Sequence, residues 1–265
     1  MTLSARSLLP VNITLGVLLV VLLVVLLAVA VGVAYWFRLS PDSSGGRPRE
    51  ILVAGVRAAA QLAAVSVVIT WAVTTVAGLV AFLVVMFSVA VRTAGRRLTS
   101  NRTWWLTAAP IAAGVVPTVA ALLLTGLVPL KGLALVPITG ILIGGALTVT
   151  VLAGRRALDE LEQRRGEVEA AMALGFLDRD ARMEIARPAA SDALLPGLDQ
   201  TRTVGLVTLP GAFVGMLLGG ASPVMAGAVQ LFVLIALMAV QAIAVAVTVE
   251  LIARRRLFRP DGHRR

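Results

Sequence analysis

The chain has 265 residues, 58% of them hydrophobic and 14% charged, and a mean hydropathy of +0.94, more apolar than a water-soluble domain of this length needs to fill one core. With no cysteine and a single histidine, His263, it can hold no disulfide, no thiolate metal site and no thiol nucleophile. The net charge of +10 would suit nucleic acid, but 22 of the 24 Lys and Arg residues cluster at the ends of apolar stretches, apart from Arg6 and Lys131, so a lipid bilayer is the expected partner and nucleic acid is not.

Residues 7–37 carry no charge and are mostly Leu and Val, too long a run for a signal-peptide core, and predict a first membrane span over about 8–37. A Ser-, Gly- and Pro-rich linker, Ser40 to Pro48, follows. The 41 residues from Ile51 to Val91 are uncharged except for Arg57, and as one helix they would reach about 60 Å, twice the hydrocarbon thickness of about 30 Å. They must therefore fold back near Trp71–Gly78, giving spans of about 51–70 and 77–94. Two further spans, about 104–126 and 132–154, flank a turn around Pro129 and Lys131.

A hydrophilic segment over 155–200 comes next; the stretch 155–202 holds 10 of the 14 acidic residues and 8 arginines. The 47 uncharged residues 203–249 predict two last spans, about 201–219 and 224–252, joined at Gly219–Pro223. The expected fold is thus an all-α integral membrane protein with seven transmembrane helices. An outside amino terminus and a cytoplasmic carboxyl terminus put the four basic clusters in the cytoplasm of a plasma-membrane protein.

Within the hydrophilic segment, Arg155–Leu174 reads as a helix continuing out of the fifth span, with a Glu160–Arg164 pair at the favourable i, i+4 spacing. Gly175 can end it in a left-handed cap, and a second short helix from about Asp178 to Ala186 has acid at its start and Arg187 and Pro188 at its end. From the residues alone, an amphipathic loop lying on the membrane and a docking element for a soluble partner are equally open.

The spacing Glu169-Ala170-Ala171, Gly175, Ile185, Arg187-Pro188 resembles the EAA signature of ABC-transporter permeases, with Arg187 where leucine is usual. A closer resemblance covers roughly residues 50–255. The strings Val136-Pro137-Ile138-Thr139-Gly140, Leu174-Gly175, Thr203 to Gly211 and Ser222-Pro223 are similar to those of the FetB (YbbM) family of iron-export ABC permeases, which includes plant aluminium-tolerance proteins. That resemblance implies a single permease domain, a homodimer, and a separate FetA-like ATP-binding subunit docked at Glu169, Ala170, Ala171, Gly175, Ile185, Arg187 and Pro188. It also implies ATP and Mg on that subunit, no cofactor on this chain, and export of a metal ion such as iron. In agreement, the sequence has no G-x-x-x-x-G-K-[ST] loop of its own.

The metal ligands are unknown, since the spans offer no thiolate or imidazole. Candidates for a translocation path or hinge are Arg57 with Gln61 one turn on, Pro137, Thr139, Gly140 and Gly144 in the fifth span, Thr203, Gly205, Pro210 and Gly211 in the sixth, and Gln230 in the last. Each has a plainer reading. The threonines can bond back to their own helix, the glutamines can bridge helices, Arg57 can snorkel to the interface, and the Pro and Gly residues can serve packing and kinking. Glu250, near Arg254, reads as an interfacial ion pair rather than a proton relay. A non-transporting scaffold or sensor and a proton-coupled transporter are the alternative functions.

Overall fold

The computed structural model describes residues 13–39, 46–72, 74–125 and 132–259. The first residues of the first expected span, most of the Ser40–Pro48 linker, the turn with Pro129 and Lys131, and His263 lie outside them. Among the described residues there are helices, short 3-10 turns and no strand beyond one isolated bridge between Val204 and Thr208. The chain divides into two compact units, 1–71 and 72–265.

The first unit is a helix pair, α1 (Ile13–Trp36) and α2 (Gly46–Ala72, whose last residue belongs to the second unit). α1 is apolar on every face, the pattern of a helix solvated by lipid. The two helices meet where Leu27 sits over Gly55: a Cβ there would lie 2.8 Å from Leu27 Cδ1.

The second unit opens with α3 (Val76–Leu98), whose first turn is capped by the Thr75 hydroxyl accepting from Gly78 N at 3.0 Å. The helix break expected near residue 74 is therefore present: α2 ends at Ala72 and α3 begins at Val76. A 3-10 turn over Arg102–Thr107 leads into α4 (Ala108–Leu124), then come α5 (Gly132–Gln163), α6 (Arg165–Ala173) and α7 (Asp178–Ser191). After a 3-10 turn at Asp192–Leu194 the chain forms α8 (Leu195–Thr203), α9 (Gly211–Leu218) and α10 (Pro223–Ala253).

α5 and α10 form the centre of this unit, with α3, α4 and α7 packed around them. Small residues set the close approaches. A Cβ on Gly145 of α5 would lie 2.3 Å from Leu237 Cδ1 of α10, and one on Gly114 of α4 would lie 2.9 Å from the Val240 carbonyl oxygen.

Six described helices are long and apolar enough to cross a membrane: Gly16–Trp36, Gly46–Ile69, Val76–Leu98, Arg102–Leu124, Leu135–Gln163 and Pro223–Ala253. The all-α membrane fold read from the sequence is thus present. The sixth expected span, about 201–219, is not one helix. α8 stops at Thr203, seven residues are non-helical, and α9 has only 8 residues, a rise of about 12 Å against a hydrocarbon thickness of about 30 Å. Two residues account for the break: Gly205 sits at φ +82°, and Pro210, with no N–H to donate, stands at the N-cap of α9.

Candidate functional site

The polar segment is a bent elbow. The helix expected to run unbroken from Arg155 to Leu174 is interrupted at Arg164 (φ −106°, ψ 31°), which separates α5 from α6. The expected Glu160–Arg164 pair forms at 3.2 Å, and Arg164 also grips Glu167 at 2.5 Å. These bonds, Glu167 foremost, raise the Arg164 pKa above its ordinary value, and the Arg164 guanidinium holds the Glu167 carboxyl below the usual carboxylate range. The break is therefore tied by charge on both sides.

α6 carries the first part of the predicted signature. Glu169 is exposed and paired with Arg165 at 3.1 Å, Ala170 is exposed, and Ala171 is half-buried against the core. Val168 is the one buried residue of this helix. Behind it opens a cleft of about 980 Å³ lined by Leu158, Val168, Met172, Arg182 and Ile252 among others. α6 is a lightly attached arm.

The corner itself is Gly175, at φ +97°. Gly175 N bonds to Met172 O (3.0 Å) and Phe176 N to Ala171 O (3.1 Å), closing the helix in a left-handed cap that a residue with a side chain would strain. Around it Leu174, Phe176 and Leu177 are 82%, 53% and 71% exposed. Sequence reasoning marked the glycine and missed this apolar tip. The signal was available: three large apolar residues sit at the turn rather than on the periodic face of either helix.

α7 is the reverse of α6. Ala181, Ile185, Ala186 and Ala190 are buried against the core. Its first turn is clamped to the end of α10: Arg179 reaches Glu250 with two bonds, 3.0 and 2.6 Å, Glu250 also accepts from Arg254 at 2.5 Å, and Asp178 takes Arg255 at 3.1 Å and Arg182 at 3.0 Å. The Glu250–Arg254 pair expected from sequence is thus one edge of a wider network.

Ile185 points inward as an anchor, whereas Arg187, bonded to Glu184 at 3.2 Å, and Pro188 are exposed. The expected stop before Pro188 does not occur; the helix runs on to Ser191. The cost of one missing backbone donor is outweighed because Ala186 and Ala190, either side of the proline, are both fully packed.

The candidate path residues divide. Arg57 and Gln61 lie exposed on α2 in the first unit. On α5, Pro137 is exposed, Thr139 is buried, Gly140 faces Met86 of α3, and Gly144 has open space beside it. The tight α5 contact is at Gly145 instead. Thr203 bonds back to Asp199 O at 2.9 Å, its plainer reading, and neither Gly205 nor Gly211 is in close contact with a neighbour. Gln230 is buried, yet its Oε1 has no hydrogen-bond partner among the described residues, nor does Thr139 Oγ1 or Thr150 Oγ1. The interhelical bond expected of the Gln230 oxygen is not made.

Gln241 also sits at a helix crossing: a Cβ on Gly197 of α8 would lie 2.2 Å from its Oε1, and one on Gly145 of α5 would lie 3.4 Å from its Nε2. No cluster of three or more His, Asp or Glu side chains suited to a metal occurs among the described residues.

These features define a multi-pass helical membrane protein with an ion-paired polar elbow inserted between two long apolar helices that pack on each other. The family follows from comparison. The chain belongs to the uncharacterised protein family UPF0014, whose profile matches residues 17–258.

It is 35% identical over 192 residues to the rice UPF0014 membrane protein STAR2, covering 71% of this chain and 67% of the relative. It is 38% identical over 150 residues to the Arabidopsis thaliana protein ALUMINUM SENSITIVE 3, covering 56% and 55%. It is 32% identical over 127 residues to the Escherichia coli probable iron export permease protein FetB, covering 46% and 47%. No solved structure matches the chain.

Proposed function

We propose that this chain is the permease subunit of an ABC-type transporter, two copies of it working with two copies of a separate ATP-binding subunit. The observation that carries the reading is the tip Leu174, Phe176 and Leu177, exposed at a glycine corner in a segment whose charges are largely satisfied within the chain. Large apolar side chains held out on a fixed corner suit insertion into an apolar cleft of a soluble protein. Glu169 and Ala170 on α6 and Arg187 and Pro188 on α7 are exposed on the two helices that meet at that tip and would extend the contact.

ATP and Mg would bind on the partner, and the elbow would lie in the cytoplasm, with the amino terminus outside and the carboxyl terminus inside a plasma membrane. Closure of the ATPases would push on the tip. α7 would pass that motion to α5 and α10, against which it is packed and clamped, while the lightly attached α6 adjusts. The substrate class follows from the Escherichia coli relative's name: a metal ion such as iron, exported. Its path would use backbone carbonyls, threonine hydroxyls and the Gln230 amide.

The test is co-purification from membranes with a Walker-type ATPase, together with metal tolerance and cellular iron. The expected result is a stoichiometric complex that is lost in Leu174→Asp/Leu177→Asp while the chain stays folded, and iron accumulation when the chain is removed. Transport that survives ATP depletion and collapses with the proton gradient would replace this reading with a proton-coupled one. Absence of any transport, with a regulator bound at the elbow, would replace it with a scaffold.

A further inference from the structure

Every described carboxylate of this chain except that of Glu162 already has an arginine partner. The arginines around the end of α3 have none. Arg92, Arg96, Arg97 and Arg102 are all exposed, no ion pair engages them among the described residues, and no acidic residue occurs from Ile51 to Leu158. A positive-inside bias asks only for an excess of cations on one side. Here pairing elsewhere leaves uncompensated charge at one corner.

That corner is firmly built. Gly95 lets the 3-10 turn lie flat on α3, since a Cβ there would come within 2.3 Å of Trp104 O. Thr107 Oγ1 donates to Val91 O at 3.0 Å, and the Arg96 guanidinium lies over the Trp104 ring, 5.9 Å from its centroid. Thr99 Oγ1 and Asn101 Nδ2 both donate to Phe258 O, just beyond α10, at 2.8 and 3.1 Å. Arg155 Nε donates to Arg97 O at 3.3 Å. The cluster therefore sits on the elbow's side of the molecule, at the level where the apolar parts of α5 and α10 end.

The same face of α3 continues into the apolar zone. Val85, Val89, Arg92 and Arg96 follow one another at i, i+4, i+7 and i+11, and the two valines are 58% and 49% exposed. Beside the cluster Trp105 is 59% exposed, an amphipathic ring of the kind that settles at a membrane–water boundary.

We propose that this corner binds an anionic phospholipid, its acyl chains along Val85 and Val89 and its phosphodiester between Arg92 and Arg96, with Arg102 and Trp105 at the rim. Guanidinium forks match pairs of phosphate oxygens. The protein itself offers little counter-charge: the one described acid of the first helix pair, Glu50, is bonded to Arg47, and a second copy would bring carboxylates that, Glu162 apart, are already paired. An acidic soluble protein meets the arginines but not the valines that continue their face into the bilayer. A lipid meets both. The site lies apart from the Leu174–Leu177 tip and does not depend on the transport reading.

Tryptophan quenching tests this directly. Trp36→Phe/Trp71→Phe leaves Trp104 and Trp105 as the only tryptophans. This chain is reconstituted in vesicles of equal parts phosphatidylcholine and phosphatidylglycerol, with one or the other brominated in its acyl chains. Brominated phosphatidylglycerol is expected to quench as though enriched at the site by about fivefold, the worth of one arginine near an anionic headgroup. Arg92→Gln/Arg96→Gln/Arg102→Gln should make the two lipids quench equally, lysine at the same three positions should keep part of the preference, and Arg165→Gln, in an ion pair of the elbow, should keep all of it. An elution profile like that of the parent confirms that each variant is folded.

Equal quenching by the two lipids in the parent, or a preference that survives the triple glutamine variant, would overturn the proposal. Absence of quenching by either lipid would overturn it by showing that protein covers the corner. Equal quenching in the parent combined with loss of a bound ATPase in the triple variant would assign the arginines to an acidic face of that soluble partner instead.

Discussion

α7 and α9 are opposites in a way that composition conceals. α7 holds six charged residues in 14, yet four of its side chains are buried and its first turn is tied to the end of α10. α9 is uncharged and apolar, yet none of its 8 residues is buried. In water an apolar helix finds a core and a polar one stays outside. In a bilayer the apolar helix is already solvated by lipid, so only small-residue packing or unmet hydrogen bonds draw it to a partner. The polar helix, which stands outside the lipid, still has a hydrophobic face to bury. Burial here reports partners and hydropathy reports solvent.

The strongest way to break that contrast is to truncate one side chain on each helix. Ile185→Ala removes a buried side chain of α7 and is expected to cost about 2–3 kcal/mol. Leu218→Ala, on an exposed position of α9, should change the stability of the single chain by less than about 0.5 kcal/mol. Unfolding in mixed micelles measures both, and equal losses would mean that α9 is anchored as firmly as α7.

A second comparison adds one methyl group in two places. Gly145→Ala drives a Cβ to 2.3 Å from Leu237, and relief by side-chain movement still leaves an expected loss of about 1–2 kcal/mol. Gly211→Ala meets nothing within 4 Å and should be neutral, or stabilising by about 0.5 kcal/mol through helix propensity. Thermal midpoints in one detergent would rank them. A large loss at Gly211 would place a close neighbour where the single chain has none.

The sequence made some of this legible and hid the rest for identifiable reasons. Charge runs and apolar lengths located six long apolar helices and the helix break before Val76, because hydropathy depends on lipid alone. The Gly175 corner was readable because a left-handed cap favours glycine, and the Glu160–Arg164 pair because it is local.

The division of 201–219 was not readable. An uncharged run looks the same whether it is one helix or two pieces, and Gly205 and Pro210 signalled a kink without its size. The continuation of α7 past Pro188 depended on alanines packing against distant helices. Gly145 gained its meaning only from Leu237, and Gly197 only from Gln241, which lie 92 and 44 residues further on.

The clamp that distinguishes α7 should give a smaller effect than either truncation. Arg179 and Glu250 are bonded through both guanidinium and carboxylate edges, but their side chains are 43% and 31% exposed, and solvent screening limits what the pair contributes. A double-mutant cycle of Arg179→Gln and Glu250→Gln should return a coupling of about 0.5–1 kcal/mol. The reversed pair Arg179→Glu/Glu250→Arg should recover part of the loss seen in either reversal alone. A coupling near zero would leave α7 held by its buried alanines and Ile185 only.

The smallest expected effect is acid loosening of the bend at Arg164. Glu167 titrates below the ordinary carboxylate value of about 4.3 because Arg164 bonds to its charged form. A carboxyl lowered in this way contributes stability that is complete above its unfolded value and is lost as the pH falls through the folded one. Both side chains are largely exposed, so the change should be local. A spin label at Gly166→Cys should therefore sharpen as the pH is lowered from 7 to below the ordinary carboxylate range, and in Glu167→Gln it should be equally mobile throughout. A label at Leu218→Cys supplies the contrast, since from Thr203 to Val249 there is no titratable side chain to respond. A pH response there, matching that at Gly166, would mean that protonation loosens the whole chain rather than the elbow.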